Sequence, residues 1–309
     1  MKRKLLWPVF TLLVLCHSLY AGPLPIAFLN RVVAIGRKET TPGPTLGKWI
    51  GEASGFFYGE FDQKLNETQR TYLFYLVTNR HVIEEHRAAT NGPLSVRLNR
   101  KSGGPVQEVD FPLIIGGLPT WYSNPDPLID VAVVTVNGVM LQQMGIDFDY
   151  FKSDLDILSR VKAKELGLAE GYGVFVLGFP MGLVGTEQDY VIVREGSIAR
   201  IRDTLDSPTT VRNFLIDSFI FPGNSGGPVV LRPEPSEASF AGEKPPIRTA
   251  YLLGVVMSYV SYQDTAFSLQ TKRPRVTFEE NSGLAQIIPA DYIDETIQSL
   301  IKTTHASSH

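Results

Sequence analysis

Ser225 lies in Phe221-Pro222-Gly223-Asn224-Ser225-Gly226-Gly227-Pro228, a turn so rich in glycine that main-chain amides can point together beside one hydroxyl. A serine hydroxyl is a weak nucleophile until a base takes its proton and N–H donors stabilise the oxyanion that follows. The chain has five histidines: His17 falls in the apolar N-terminal segment, His305 and His309 in a polar tail, and His81 and His86 are left as bases. His81 follows the apolar run 72–77 through Thr78-Asn79-Arg80, which predicts a buried strand running into a helical turn that holds an imidazole rigidly. His86 sits in Glu84-Glu85-His86-Arg87 and reads as solvated. The third group must orient the imidazole and stabilise its charged form. Asp130 opens Asp130-Val131-Ala132-Val133-Val134-Thr135-Val136, apolar on both faces, and a carboxylate entering a buried strand needs a partner for its charge. Asp126, among Asn124, Pro125 and Pro127, reads as an ordinary turn aspartate.

Many short apolar runs separated by Gly, Pro and Asn must position these groups. They fall at 28–36, 55–61, 72–77, 94–98, 131–136, 174–178, 190–201, 214–217, 229–231 and 251–260, a pattern that predicts an all-β sandwich or a pair of barrels. Residues 138–170 form a bridge with a short helix near 139–144. Residues 288–302 have helical spacing, with Asp291 and Asp294 near the start, and predict a packed terminal helix. Segments 99–117, 232–248 and 263–280 read as insertions. The Asp147, Asp149, Asp154, Asp156 cluster lacks the glycine and terminal glutamate of an EF-hand loop, so it reads as a solvated acidic surface.

Thr78-Asn79-Arg80-His81-Val82-Ile83, Asp130-Val131-Ala132-Val133-Val134 and Gly223-Asn224-Ser225-Gly226-Gly227-Pro228 occur in the order His, Asp, Ser. In order and flanks they resemble the trypsin-like serine peptidases of the chymotrypsin fold, most nearly the protease domain of the bacterial HtrA/Deg branch. Weaker likenesses run from about residue 28 to 302: Ala53-Ser54-Gly55-Phe56, Val176-Leu177-Gly178-Phe179-Pro180-Met181-Gly182, Glu195-Gly196-Ser197-Ile198, Asp217, Leu252-Leu253-Gly254-Val255-Val256 and Gly283-Leu284-Ala285. The resemblance implies an all-β fold of two six-stranded β-barrels, about 28–136 and about 172–288, within a protease domain at 22–305, closed by a helix at 289–302. His81, Asp130 and Ser225 would form the triad in the cleft between the barrels, and the N–H groups of Gly223 and Ser225 the oxyanion hole. Phe219 would sit at the base of the primary pocket with Phe221 beside it. Met257 and Ser258 would lie on the strand that carries substrate. With no carboxylate at 219, cleavage after Arg or Lys is not expected.

The chain departs from the resemblance in informative places. Asn224 stands where activatable trypsins have an aspartate, so activation by a new N-terminus is not expected. Met257 replaces a serine that helps hold the aspartate in many trypsins. The sequence stops soon after the terminal helix, so the PDZ domain of HtrA proteins is not expected. Gly223-Asn224-Ser225-Gly226-Gly227 also fits the nucleophile elbow of α/β-hydrolases, but that elbow enters a helix and its histidine follows the serine. Here Pro228-Val229-Val230-Leu231 reads as a strand, and no histidine follows until the tail.

Residues 1–21, with Lys2-Arg3-Lys4, an apolar run and Ala21, read as a secretion signal. The run, as a helix, spans roughly 18 Å, short of a bilayer core. Cys16, the only cysteine, lies within it, so the mature chain would have no disulfide, which favours a bacterial exported protein, periplasmic or secreted. Lipidation at Cys16 is disfavoured by Leu15, and membrane attachment is expected only through that route or an uncleaved signal. With 309 residues, 43% hydrophobic content and a net charge of −3, the chain can bury a substantial core and has no basic surplus for nucleic acid. No cofactor or metal is expected; the partners are protein or peptide substrates. From another functional class, the same fold could serve as a catalytically silent binding scaffold.

Overall fold

The computed structural model describes residues 24–39, 42–44, 47–66, 69–90, 92–233 and 249–306. The signal segment with Cys16 and His17, most of the 232–248 insertion and His309 lie outside them. A short helix α1 (Ile26–Leu29) leads into β1 (Val32–Lys38), β2 (Trp49–Lys64), β3 (Arg70–Thr78), α2 (Arg80–Thr90), β4 (Leu94–Leu98), β5 (Gln107–Phe111), β6 (Ile114–Ile115), β7 (Leu118–Pro119), β8 (Trp121–Ser123) and β9 (Ala132–Thr135). The bridge carries α3 (Gly138–Gln143), β10 (Phe151–Lys152) and α4 (Arg160–Leu166). There follow β11 (Gly173–Gly178), a 3-10 turn at Pro180–Gly182, β12 (Ile192–Arg200), α5 (Arg202–Asp206), β13 (Phe214–Asp217), β14 (Pro228–Leu231), β15 (Leu252–Phe267), β16 (Pro274–Pro289) and α6 (Asp291–Ala306).

The first half is an open half-barrel in the order β5-β4-β1-β2-β3-β9-β8, with β10 added to β2; the second is a closed barrel, β11-β12-β13-β16-β15-β14. The two-barrel architecture and the terminal helix thus agree with expectation, although only the second barrel closes. Why strands such as Val32–Lys38 are apolar on both faces is visible in the packing. Val33 and Ile35 enter the half-barrel's own core with Leu76, Leu94 and Val134. Val32 and Ala34 face a second core, shared with Val230, Leu252, Ile293 and Ile297 of the other half. Strand side chains alternate between faces, so one short strand serves two cores. Ile293 and Ile297, one helical turn apart, pin α6 across this junction, and each buried side chain contributes about 1.5–3 kcal/mol.

Several expectations are corrected. Phe28 lies in α1 and not in a strand. The 99–117 insertion contributes β5, which pairs with β4 from Leu94↔Phe111 to Leu98↔Gln107 and forms one edge of the half-barrel sheet. The 263–280 insertion is a paired hairpin, the far end of β15 and β16, with one register shift between Ala266 and Phe267. The acidic cluster is not simply solvated. Arg31 reaches Asp156 at 2.9 Å and Asp149 at 3.5 Å, Arg70 pairs with Asp154, and Asn30 reaches Asp147 at 3.4 Å.

Candidate active site

β3 ends at Thr78, and His81 lies in the first turn of α2. There Asp130 meets it twice: the His81 main-chain N–H donates to Oδ1 at 3.0 Å and ring Nδ1 lies 2.6 Å from Oδ2. A carboxylate is acceptor-only, so Nδ1 carries the proton and Nε2 keeps its lone pair. The carboxylate also faces the positive end of α2. Burial disfavours the imidazolium, but the hydrogen bond and charge of Asp130 outweigh it and raise the His81 pKa above the usual histidine value. The loop before Asp130 is clamped by its neighbours on β3–α2. Asn79 Nδ2 donates to the Asp130 carbonyl at 2.8 Å. The Arg80 guanidinium donates to the carbonyls of Asn124, Asp126, Pro127 and Ile129. Asp126 accepts from Leu128 N–H at 2.9 Å and pairs with Arg212 at 2.8 Å, the surface turn its neighbours predict.

His86 departs from expectation. It is buried, with Nε2 2.7 Å from the Pro93 carbonyl and Nδ1 3.5 Å from Glu52. Burial comes from α2's amphipathic turn, which puts His86 on the same face as Val82 and Ile83. It stabilises the half-barrel and takes no part beside Asp130.

Ser225 sits on the loop into β14, and its position is set largely by Ser54 of β2. Fully buried, Ser54 donates its N–H to the Ser225 carbonyl at 2.9 Å and its hydroxyl to the Gly223 carbonyl at 2.6 Å, while accepting from Phe179 N–H at 2.9 Å. Its own carbonyl accepts from Thr78 Oγ1 at 2.9 Å, so one residue ties the end of the histidine strand to the serine loop. At Gly226, φ is +81° and a Cβ would overlap Thr78 Oγ1 and the Ser54 carbonyl, so only glycine permits this approach. The Ser225 hydroxyl donates to the Met257 carbonyl at 3.4 Å, and no hydrogen bond joins it to His81.

The hole beside the serine is built by main chain. The Pro222 carbonyl is held at 2.6 Å by the N–H of Met181, itself at φ +57°. A peptide's N–H points opposite its C=O, so this turns the Gly223 N–H away from Met181. Among the described residues neither Gly223 N–H nor Ser225 N–H has an acceptor. Gly223 is at φ +97°, and a Cβ there would lie 2.5 Å from the Phe179 carbonyl and 2.9 Å from Met181 N. Asn224 is fully buried and accepts from Phe221 N–H at 3.0 Å, bracing the loop from inside. Signals for these supports were present in Ala53-Ser54-Gly55 and Phe179-Pro180-Met181-Gly182. Nothing local said that Ser54 and Met181 would bond to the serine loop.

Phe219 is half-exposed with its ring beside Gly283, and Phe221 is half-buried with the Arg194 guanidinium 5.2 Å from its ring centroid. Met257 and Ser258 are half-buried on β15, just past its last β14 partner, Val255. A cleft of about 400 Å³ lined by Arg97, Asn99, Asp147 and Asp189 contains none of the three candidate catalytic residues. Among the described residues no group of His, Cys, Asp and Glu is placed to hold a metal. No curated protein matches this sequence significantly. Residues 53–233, which span His81, Asp130 and Ser225, match the family model of the trypsin-like peptidase domain, and the chain belongs to that family.

Proposed function

We propose that the chain is an exported serine endopeptidase that cleaves extended or unfolded protein segments through His81, Asp130 and Ser225. The observation that carries this reading is the double capture of His81 by Asp130, 2.6 Å at the ring and 3.0 Å at the main chain, together with a serine loop that Ser54 ties to the end of β3 and whose Gly223 and Ser225 N–H groups have no acceptor among the described residues. Attack requires the Ser225 hydroxyl to leave the Met257 carbonyl and turn to His81 Nε2. His81 takes the proton as Oγ bonds to the substrate carbonyl carbon, and Asp130 stabilises the imidazolium that results. Gly223 and Ser225 N–H then hold the oxyanion, a donor of this kind being worth about 3 kcal/mol. His81 returns its proton to the leaving amine, and water hydrolyses the acyl-enzyme by the same steps in reverse.

Substrate would lie along β15 from Met257 and Ser258 and add a strand by main-chain hydrogen bonds. The expected start at Gly254 is ruled out, because 254–256 are already paired with β14 and the serine loop on one side and β16 on the other. Phe219 at the pocket, with no carboxylate in its place, supports small or aliphatic side chains before the cleaved bond over Arg or Lys. The strings around His81, Asp130 and Ser225 support kinship with HtrA/Deg protease domains. The signal at 1–21 would direct a mature domain at 22–305 to a bacterial periplasm or medium. Among the described residues no helix is long and apolar enough to cross a membrane. Unfolded casein is the test: wild type should cleave it and Ser225→Ala should lose about a millionfold in turnover. Equal rates would overturn the reading, and a folded protein inert in both forms would leave the silent scaffold.

A further inference from the structure

β15 is paired on one side with β16 along almost its whole length, from Gly254↔Pro289 to Phe267↔Pro274. On its other side β14 stops at Val255, and the last bonds there join Val256 to Gly226 and Gly227. From Met257 to Phe267 that edge has no strand beside it among the described residues. The open edge is roughly 35 Å long at the usual rise of a strand. It begins where the Ser225 hydroxyl touches the Met257 carbonyl.

The two free edges of the hairpin are guarded differently. β16 carries Pro274, Arg275, Glu279 and Glu280 along its outer part, the charges and proline that keep an edge from pairing. Over Met257–Phe267 β15 carries one charge, Asp264, and no proline, and its register with β16 shifts at Met257, Val260 and Phe267 but runs unbroken from Ser261 to Ala266. The faces differ too. Tyr262↔Glu280, Asp264↔Phe278 and Ala266↔Val276 share one face, on which Tyr262, Phe278 and Val276 are each more than half exposed. Gln263↔Glu279 and Thr265↔Thr277 make the other face polar. A long, unguarded edge beside an uncovered apolar face is a liability unless something pairs with it.

We infer that the β15 edge from Met257 to Phe267 is an extended substrate-binding site, which takes the stretch of polypeptide preceding the scissile bond as an added antiparallel strand. This rests on the peptidase reading above. The occupant follows from continuity: the edge starts at the nucleophile and leads only away from it. Every neighbour pair in this barrel is antiparallel, and a strand added antiparallel to β15 has its C-terminal end at Met257, beside Ser225. Residues lying along the hairpin are therefore those before the cleaved bond, about ten of them. Alternate side chains of that strand fall beside Tyr262 and Ala266, which favours aromatic and β-branched residues at every second position. Only an extended, unpaired segment can supply such a strand, so folded proteins are excluded as substrates unless they present one.

The test uses two quenched fluorescent peptides with one cleavage sequence, the first starting four residues before the bond and the second about eleven, with alternating Val and Thr. Wild type should cut the longer at least tenfold more efficiently, mainly through KM. N-methylation of alternate amides in its added stretch should abolish that advantage. Joining Gln263 to Glu279 through Asn-Gly in place of 264–278 should remove most of it while leaving the short peptide's kcat/KM unchanged. Equal cleavage of the two peptides by wild type, or an advantage undiminished by the shortened hairpin, would overturn the inference. If neither peptide is cut, the peptidase reading itself fails. Binding of the long peptide to Ser225→Ala protein then decides the edge: hairpin-dependent affinity upholds it, and hairpin-independent or absent affinity overturns it.

Discussion

The Ser54 hydroxyl donates to the Gly223 carbonyl at 2.6 Å across 169 positions of sequence, and the same oxygen accepts from Phe179 N–H. One side-chain atom thus joins the half-barrel to the loop bearing Ser225 and to the end of β11. Ser54→Ala would strand a carbonyl and an N–H in a fully buried place, costing about 1–3 kcal/mol of stability. Thermal unfolding should register the loss. Turnover should fall further than KM changes, because Gly223 positions an oxyanion donor.

Gly223→Ala tests the hole from the other side. A Cβ there would collide with the Phe179 carbonyl and Met181 N, so the loop must shift and the bond from Met181 to Pro222 must stretch. Loss of one correctly aimed donor should lower kcat about 100- to 1000-fold with little change in KM. An alanine variant with wild-type kcat would remove Gly223 N–H from the mechanism.

Asp130 sets the pH dependence. A base must be neutral to accept a proton, and the His81 pKa is raised, so kcat/KM should rise with pH through a midpoint above 6.5, the ordinary histidine value. Asp130→Asn removes the charge and the acceptor that fixes the tautomer, and should cost about ten-thousandfold in kcat. A pH–rate profile of wild type, with single-pH kinetics of the variant, checks both.

Stability should carry a separate pH signature from α6. Burial first, then the nearby Glu60, Asp291 and Glu295, raise the Asp294 pKa to about 7 from 3.8, although the Tyr58 hydroxyl bond opposes them. Between these values the folded chain holds a proton that the unfolded chain has released, so stability falls as pH rises from about 4 to 7 and is level above. Asp294→Asn should flatten this slope and stabilise the fold at pH 8 by about 2 kcal/mol after allowance for partial exposure, seen as a higher melting temperature. Melting curves at pH 4 and pH 8 for both proteins measure it.

How much was legible beforehand depended on how local each signal was. His81, Asp130 and Ser225 stand in short strings whose types and flanks suggest their chemistry, and His81 Nδ1 lies 2.6 Å from the Asp130 carboxylate. Strand existence was legible because Leu94, Val96 and Leu98 alternate in their burial as in their spacing. The bonds from Ser54 and Met181 to the serine loop were not, since their partners are main-chain atoms far along the chain. His86 misled because charged neighbours say nothing about which face of α2 turns inward. The half-barrel's failure to close and the paired hairpin at 263–280 depend on pairing choices that composition leaves free.

The account's central claim is that His81 and Ser225 act on one another. A fluorophosphonate probe measures that directly, since it bonds covalently to a serine oxygen only where a base activates it and a hole receives the developing charge. Intact mass and peptide mapping should find one adduct, at Ser225, in wild type and none in Ser225→Ala or His81→Ala. Wild-type protein that stays unlabelled, or His81→Ala protein that labels as fast as wild type, would contradict the account.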